Sequence, residues 1–176
     1  MPNLFGRPFK VPVPKKSAAE AEEFGPGKKG LLLCKGCGAV YFKKHWHENL
    51  EALNKAEEVS FEKGAPTKPA ICPACSLIGG HQYEGRVTIK NVPAKDANEL
   101  EGVIRNFAAY LEDRDPMDRL IEIKKSGGDW LITFTENQAA NKLAKKIADV
   151  FPAASFRARF APEPSDVAEA TVEFSE

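Results

Sequence analysis

Two Cys-x-x-Cys pairs carry the strongest chemical signal in this sequence. The first is Cys34-Lys35-Gly36-Cys37, the second is Cys72-Pro73-Ala74-Cys75, and together they contain all four cysteines of the chain. A Cys-x-x-Cys turn presents two thiolates from one tight knuckle, so two such turns supply the four ligands of a tetrahedral zinc ion. We therefore predict one structural Zn²⁺ held by Cys34, Cys37, Cys72 and Cys75.

Two other chemistries use the same residues and are less compatible with the surrounding sequence. A redox dithiol needs one Cys-x-x-Cys pair at the start of a helix in a thioredoxin-like unit, but the segment after Cys75 soon reaches Gly79-Gly80. A catalytic zinc keeps one coordination position open, whereas four cysteines close the shell. His45 and His47, which flank Trp46, are interpreted as lying on a partly exposed helix face and not as ligands.

Composition and charge limit the class of protein. A chain of 176 residues has room for one ordinary domain and a small satellite. No run of about 18 apolar residues is present, and the first residues do not resemble a signal peptide, so we expect a soluble, cytoplasmic protein with no membrane partner. The net charge is zero, but residues 163–176 carry five acidic and no basic groups. The rest of the chain therefore carries a net charge of +5, so overall neutrality does not exclude a nucleic-acid partner.

The pattern along the chain divides it into four stretches. Residues 1–29, with five of the 13 prolines, are predicted to form a flexible basic arm. Residues 30–80 are predicted to form a zinc-binding module, with a helix over 45–55, that is too small to be stable without its metal. Residues 81–162 are predicted to form a ferredoxin-like domain, and residues 163–176 an acidic tail with an edge strand at 170–174.

The larger domain is predicted to be ferredoxin-like, which makes the whole chain α+β. Alternating strands are expected at 86–92, 120–124, 130–135 and 155–160, and helices follow the first and third of them. Asp96 and Glu99 have the spacing of a capping box for the first helix, and Thr135 is expected to cap the second. The order β-α-β-β-α-β is that of an antiparallel sheet with both helices on one face.

Alternation also sorts the strand residues into two faces. The residues expected to meet the helices are Val87, Ile89, Ile121, Ile123, Trp130, Ile132, Phe134, Phe156, Ala158 and Phe160. The opposite face is expected to be mostly basic, and the residues predicted to contact nucleic acid there are Arg86, Lys90, Lys124, Arg157 and Arg159. Thr88 and Leu131 occupy positions where base-stacking aromatics would be needed, so we expect phosphate contacts without base reading. The alternative is that these charged side chains only keep the free face hydrated and bind no partner.

Several stretches resemble the family of the large-ribosomal-subunit nuclear export adaptor, nonsense-mediated decay protein three, and its small prokaryotic relatives. They are LCKGCGAVYFKKHWH, ICPACS, YEGRVTIKNVP, RDPMDRLIEI and TFTENQAANKLAKKI, and they span roughly residues 31–160. The resemblance implies cysteine-held zinc and binding to the large ribosomal subunit. The full-length adaptor has further Cys-x-x-Cys pairs and β-barrel domains, which this chain lacks.

These observations predict a binding protein and not an enzyme. No glycine-rich phosphate loop, nucleophile elbow or motif-spaced nucleophile and histidine is present, so no small-molecule substrate is expected. We expect docking on ribosomal or other structured RNA. The alternative is a protein-interaction adaptor in which the arm or the acidic tail recruits a partner and the sheet is inert.

Overall fold

The computed structural model describes residues 31–160 and 167–175, which belong to one compact unit of the chain. The described residues form an α+β fold, as predicted. The strands are β1 (Leu31–Cys34), β2 (Val40–Phe42), β3 (His45–His47), β4 (Thr67–Ala70), β5 (Gly85–Lys90), β6 (Leu120–Ser126), β7 (Asp129–Phe134), β8 (Ala154–Phe160) and β9 (Ala168–Phe174). The helices are α1 (Leu50–Glu57), α2 (Pro73–Gly79), α3 (Ala97–Arg114) and α4 (Asn137–Val150). The predicted arm at 1–29 lies outside the described residues.

The smaller sheet holds both cysteine pairs and has the strand order β3-β2-β1-β4. β1 pairs with β2 in antiparallel fashion and with β4 in parallel. Leu31, Val40 and Leu53 form the buried apolar cluster of this part of the chain, and the partly buried Phe42 and Phe61 pack against it. Such a small cluster stabilises little by itself, because a unit of this size buries only a modest apolar area.

The helix predicted over 45–55 begins later than expected. His45–His47 is strand β3, paired with β2, and the Trp46 ring packs at a tilt against the Tyr41 ring, with 5.2 Å between ring centroids. Asn49 caps the helix that follows, because its Oδ1 accepts the Ala52 backbone N–H at 2.9 Å. The apolar residues with helical spacing do form a helix from Leu50 onward. Residues 45–47 form a strand instead, because they pair with β2.

The larger sheet packs its inner face against α3 and α4 around one buried core. Each helix buries a stripe of apolar residues at helical spacing, with Leu100, Ile104 and Phe107 on α3 and Leu143 and Ile147 on α4. α3 ends at Arg114, because the residue before Pro116 is disfavoured in helical conformation. None of the described helices has the length and apolarity needed to span a membrane.

The last strand corrects the prediction of an edge strand in the acidic tail. β9 does form a hairpin with β8, but the strand order is β6-β7-β5-β9-β8, so β9 lies inside the sheet. It pairs in parallel with β5 along six residues, and Ala168, Ala170, Val172 and Phe174 are buried. In a simple ferredoxin-like sheet, the fourth strand lies beside the first. Here β9 lies beside β5, in the place that β8 would otherwise have.

This insertion separates β8 from β5 by one strand, and β8 lies at the edge of the sheet. Phe156 and Ala158 pair with buried Val172 and Ala170 and therefore lie on the helix side of the sheet, but both are exposed. Phe156 is 39% exposed. The prediction that these two residues are buried is therefore wrong, although their face was predicted correctly.

Three local predictions in the larger domain also need correction. A register shift between Leu120 and Glu122 makes Leu120, and not Ile121, pack against the core. Asp96 precedes α3 without a side-chain capping bond. α4 is capped by Glu136, whose Oε2 accepts the Ala139 N–H at 2.8 Å, because the Thr135 hydroxyl is used elsewhere.

Candidate metal centre and sheet surface

Parallel pairing between β1 and β4 brings the two cysteine pairs together. Cys34 ends β1 opposite Ala70 at the end of β4, and the Lys35 N–H donates to the Ala70 carbonyl at 2.9 Å. Because parallel strands end on the same side of a sheet, the knuckle after β1 faces the knuckle after β4. The spacer of 34 residues between Cys37 and Cys72 is absorbed by β2, β3 and α1.

The four sulfurs converge on one point. All four Sγ atoms lie within 4.8 Å of one another, and Cys37 Sγ is 3.7 Å from Cys72 Sγ. A tetrahedron with metal–sulfur bonds of about 2.3 Å has edges of about 3.8 Å. The four cysteines can therefore hold one metal ion with little rearrangement.

Two glycines shape the first knuckle. Gly38 has φ +80°, a conformation that other residues adopt only with strain, and its N–H donates to the Cys34 carbonyl at 2.9 Å. A Cβ on Gly36 would lie 2.8 Å from Cys75 Sγ. Gly38 allows the backbone conformation of the turn, whereas Gly36 leaves room for the side chain of Cys75.

Backbone N–H groups and burial set the acidity of the thiols. Burial raises the pKa of Cys72 and of Cys75 above the ordinary value for a thiol. Burial also acts to raise the pKa of Cys34, but backbone N–H groups that donate to its sulfur outweigh burial and lower the pKa to about 6. One of these is the Cys72 N–H, at 3.3 Å from Cys34 Sγ. Because metal ligands must be deprotonated, metal binding here releases protons.

Two side chains from different parts of the chain pack against the cysteine cluster. Trp46, on β3, packs on it from within the smaller sheet. Met117 packs on it from the turn that joins α3 to β6 in the larger domain. The cysteine cluster is therefore contacted both by the smaller sheet and by the larger domain.

Arg119 reaches the cluster from the same turn. Its Nη1 lies 3.9 Å from Cys75 Sγ, and its Nε donates to the Pro116 carbonyl at 2.7 Å. Nε also lies 3.4 Å from Glu112 Oε1, and the side chain is only 14% exposed. Sequence reasoning missed this residue, because Arg119 stands 44 positions after Cys75 with no motif to link them.

The histidines do not join the site among the residues that the structure describes. The only group of three or more metal-binding side chains there consists of the four cysteines. His47 lies on β3 with its Nε2 buried and without a hydrogen-bond partner in this part of the chain. Burial lowers its pKa, so the neutral imidazole is favoured.

The five basic residues predicted to contact nucleic acid share one face of the larger sheet. Cross-strand register places Arg86 beside Glu169, and Glu169 beside Arg159. The same pattern of register places Lys90, Lys124 and Arg157 on this face, which α3 and α4 leave free.

The free face is mixed in charge because β9 lies in its middle. Glu169 forms ion pairs with Arg86 and with Arg159, the latter at 3.3 Å between Oε2 and Nε. Glu173 is the register partner of Lys90 and points to the same side. The face is therefore less basic than the sequence predicts, since the insertion of β9 adds carboxylates that a four-stranded sheet would not have.

Comparisons with protein-family models, with curated proteins and with solved structures found no match for this chain. The resemblance to the ribosomal export adaptor family stays a prediction from the quoted stretches. The fold and the four-cysteine cluster are the observations on which any function rests.

Proposed function

We propose that this chain is a non-enzymatic, zinc-stabilised binding protein that docks on structured RNA, as the resemblance to the ribosomal export adaptor family implies. The observation that carries the proposal is the four-cysteine cluster, with all Sγ atoms within 4.8 Å. Four thiolates at tetrahedral spacing are the ligand set of structural zinc, and they leave no open position for a reacting water. A reducing, cytoplasmic location fits this chemistry because thiols there stay free for a metal.

The RNA part of the proposal is supported by the charge on the free face. Arg86, Lys90, Lys124, Arg157 and Arg159 lie on it together, and Arg157 is exposed. Thr88 and Leu131 stand at the centre of the same face, so its contacts would be to phosphates. Structured RNA of the kind found in ribosomes offers closely spaced phosphates to such a surface.

One observation favours the second candidate, a protein-interaction adaptor. Glu169 already neutralises part of the charge of Arg86 and Arg159. A face with alternating charges suits a protein surface of complementary pattern as well as it suits a phosphate backbone. The two candidates differ in what Glu169 does: it opposes RNA binding, but it can contribute to binding a protein.

Binding of a fluorescent ribosomal RNA hairpin at several salt concentrations tests the proposal. We expect affinity to fall steeply with salt, and the double variant Arg157→Ala/Arg159→Ala to weaken binding and reduce the salt slope by about one per lost contact. Lys145→Ala/Lys146→Ala is the matched control, because both lysines are exposed on α4, away from the free face.

The variant Glu169→Gln makes the test sharper. It removes the carboxylate between Arg86 and Arg159 but keeps the side-chain size, so RNA affinity should rise. If the hairpin is not retained even at low salt, or if the Glu169→Gln and arginine variants bind like the parent, the RNA proposal fails and the adaptor is favoured.

A further inference from the structure

We infer that Arg119 is a positioning residue that couples metal binding at the four cysteines to the packing of the larger domain against them. The inference rests on the proposed zinc site and goes beyond it. In an independent metal-stabilised module, the metal affects only the folding of that module. With this coupling, the metal also strengthens the packing of the larger domain against the module.

Charge gives the first reason. Four thiolates around one divalent cation keep about two net negative charges, and Cys34 and Cys72 are buried. Arg119 Nη1 is 3.9 Å from Cys75 Sγ, within reach of an N–H···S hydrogen bond. The guanidinium of an arginine is charged at any physiological pH, and this side chain is only 14% exposed. It therefore supplies a counter-charge to the centre.

The second reason is that Arg119 is fixed at its other end. The Arg119 N–H donates to Thr135 Oγ1 at 2.7 Å, and the Thr135 N–H donates to the Arg119 carbonyl at 3.0 Å. The Thr135 hydroxyl in turn donates to the Met117 carbonyl at 2.6 Å. Thr135, which follows β7 directly, is 4% exposed. The Arg119 backbone is thus attached to the larger domain through short, partly buried hydrogen bonds.

The consequence follows from linkage. When the metal leaves, Cys75 Sγ is no longer held at the position that Arg119 Nη1 reaches, so the turn at 115–119 packs less firmly on the cysteine cluster. Because coupling between two equilibria is reciprocal, firm packing of that turn must raise metal affinity by the same factor. Residues that support metal ligands from outside typically change metal affinity by about 10- to 100-fold.

The test compares the full-length parent with Arg119→Gln, Arg119→Lys and the control Arg105→Gln. Arg105 lies on α3, is 62% exposed and pairs with Glu101, so its loss does not touch the cysteines. Zinc affinity is measured by competition with a chromophoric chelator. We expect Arg119→Gln to lose about tenfold or more, Arg119→Lys to lose less because it keeps the charge, and Arg105→Gln to match the parent.

Two further readouts separate coupling from a general loss of stability. With Co²⁺ in place of zinc, loss of the N–H···S bond should move the sulfur-to-metal charge-transfer bands to longer wavelength in Arg119→Gln. Exchange of the backbone amide hydrogens of residues 119 and 135 should accelerate by about fivefold or more when the parent loses its metal. In Arg119→Gln, the exchange rates of the same two amides should depend much less on metal.

The outcomes distinguish this inference from the proposal beneath it. If the parent binds no metal, the zinc proposal itself fails. If the parent binds one zinc but Arg119→Gln shows unchanged affinity, an unchanged cobalt spectrum or the parent's metal-dependent amide exchange, the zinc proposal stands and the coupling is refuted. Should Arg119→Gln not fold with metal present, Arg119→Lys decides by the same three measurements.

Discussion

Replacing Gly36 by alanine perturbs the cysteine cluster without removing a ligand. The added Cβ would lie 2.8 Å from Cys75 Sγ and 3.2 Å from Cys75 Cβ. Ordinary contacts of a Cβ begin near 3.4 Å, so the sulfur or the knuckle must move by several tenths of an ångström. A free thiol can swing away, but a metal-bound sulfur is fixed by its bond.

The expected cost follows from this difference. Forcing an extra methyl group into a packed site costs about 1–3 kcal/mol, and the metal-bound state bears most of it. Since about 1.4 kcal/mol corresponds to a factor of ten in an equilibrium constant, Gly36→Ala should weaken zinc binding by about 5- to 150-fold. Its effect on the metal-free chain should be smaller.

Competition with a chromophoric chelator measures this loss, and thermal unfolding with and without metal shows in which state it arises. Gly79→Ala is the matched control, because Gly79 is in the same module and a Cβ there would meet nothing within 4 Å. If Gly36→Ala binds zinc as tightly as Gly79→Ala does, the sulfurs are not held in the arrangement described.

Three other predictions test separate parts of the structure. Removing the metal with a chelator should accelerate amide exchange throughout the smaller sheet, in the turn at 115–119 and at Thr135, while the core around α3 and α4 stays protected, because that core does not depend on metal for its folding energy. Gly102→Ala, in the middle of α3 where a Cβ has free space, should raise the free energy of unfolding in denaturant by about 0.5–1 kcal/mol. Burial, together with Asp115 and Glu136, raises the pKa of Asp118 from 3.8 to about 6, so its charge costs stability as the pH rises through this range. Asp118→Asn should therefore be more stable than the parent by about 1 kcal/mol at pH 7, after discounting for its partial exposure, and nearly equal to it at pH 4, with Asp113→Asn as the exposed control.

The four-cysteine cluster could be predicted from the sequence because its signal is local. Each pair encodes its own turn, and the presence of a second pair completes a tetrahedral set. The helices of the larger domain were predictable for a similar reason: the stripes through Leu100 and Leu143 have helical spacing over several turns. Local periodicity of this kind does not depend on the partner that the element meets.

Long-range pairing explains what the sequence did not predict. The alternation of Ala168, Ala170 and Val172 fits an edge strand and a central strand equally well, and only the pairing with β5, some eighty residues earlier, decides between them. The mixed charge of the free face follows from that pairing. Arg119 was missed for the same physical reason, because its contact with Cys75 exists only once the two sheets are assembled.

Metal analysis of the freshly purified full-length chain tests the central claim most directly. Native mass spectrometry combined with elemental analysis should find one zinc per chain with four unoxidised thiols, and none in the variant Cys72→Ser/Cys75→Ser, which removes two of the clustered ligands. A chain that carries no stoichiometric metal, or whose cysteines are joined in disulfides, would contradict the account.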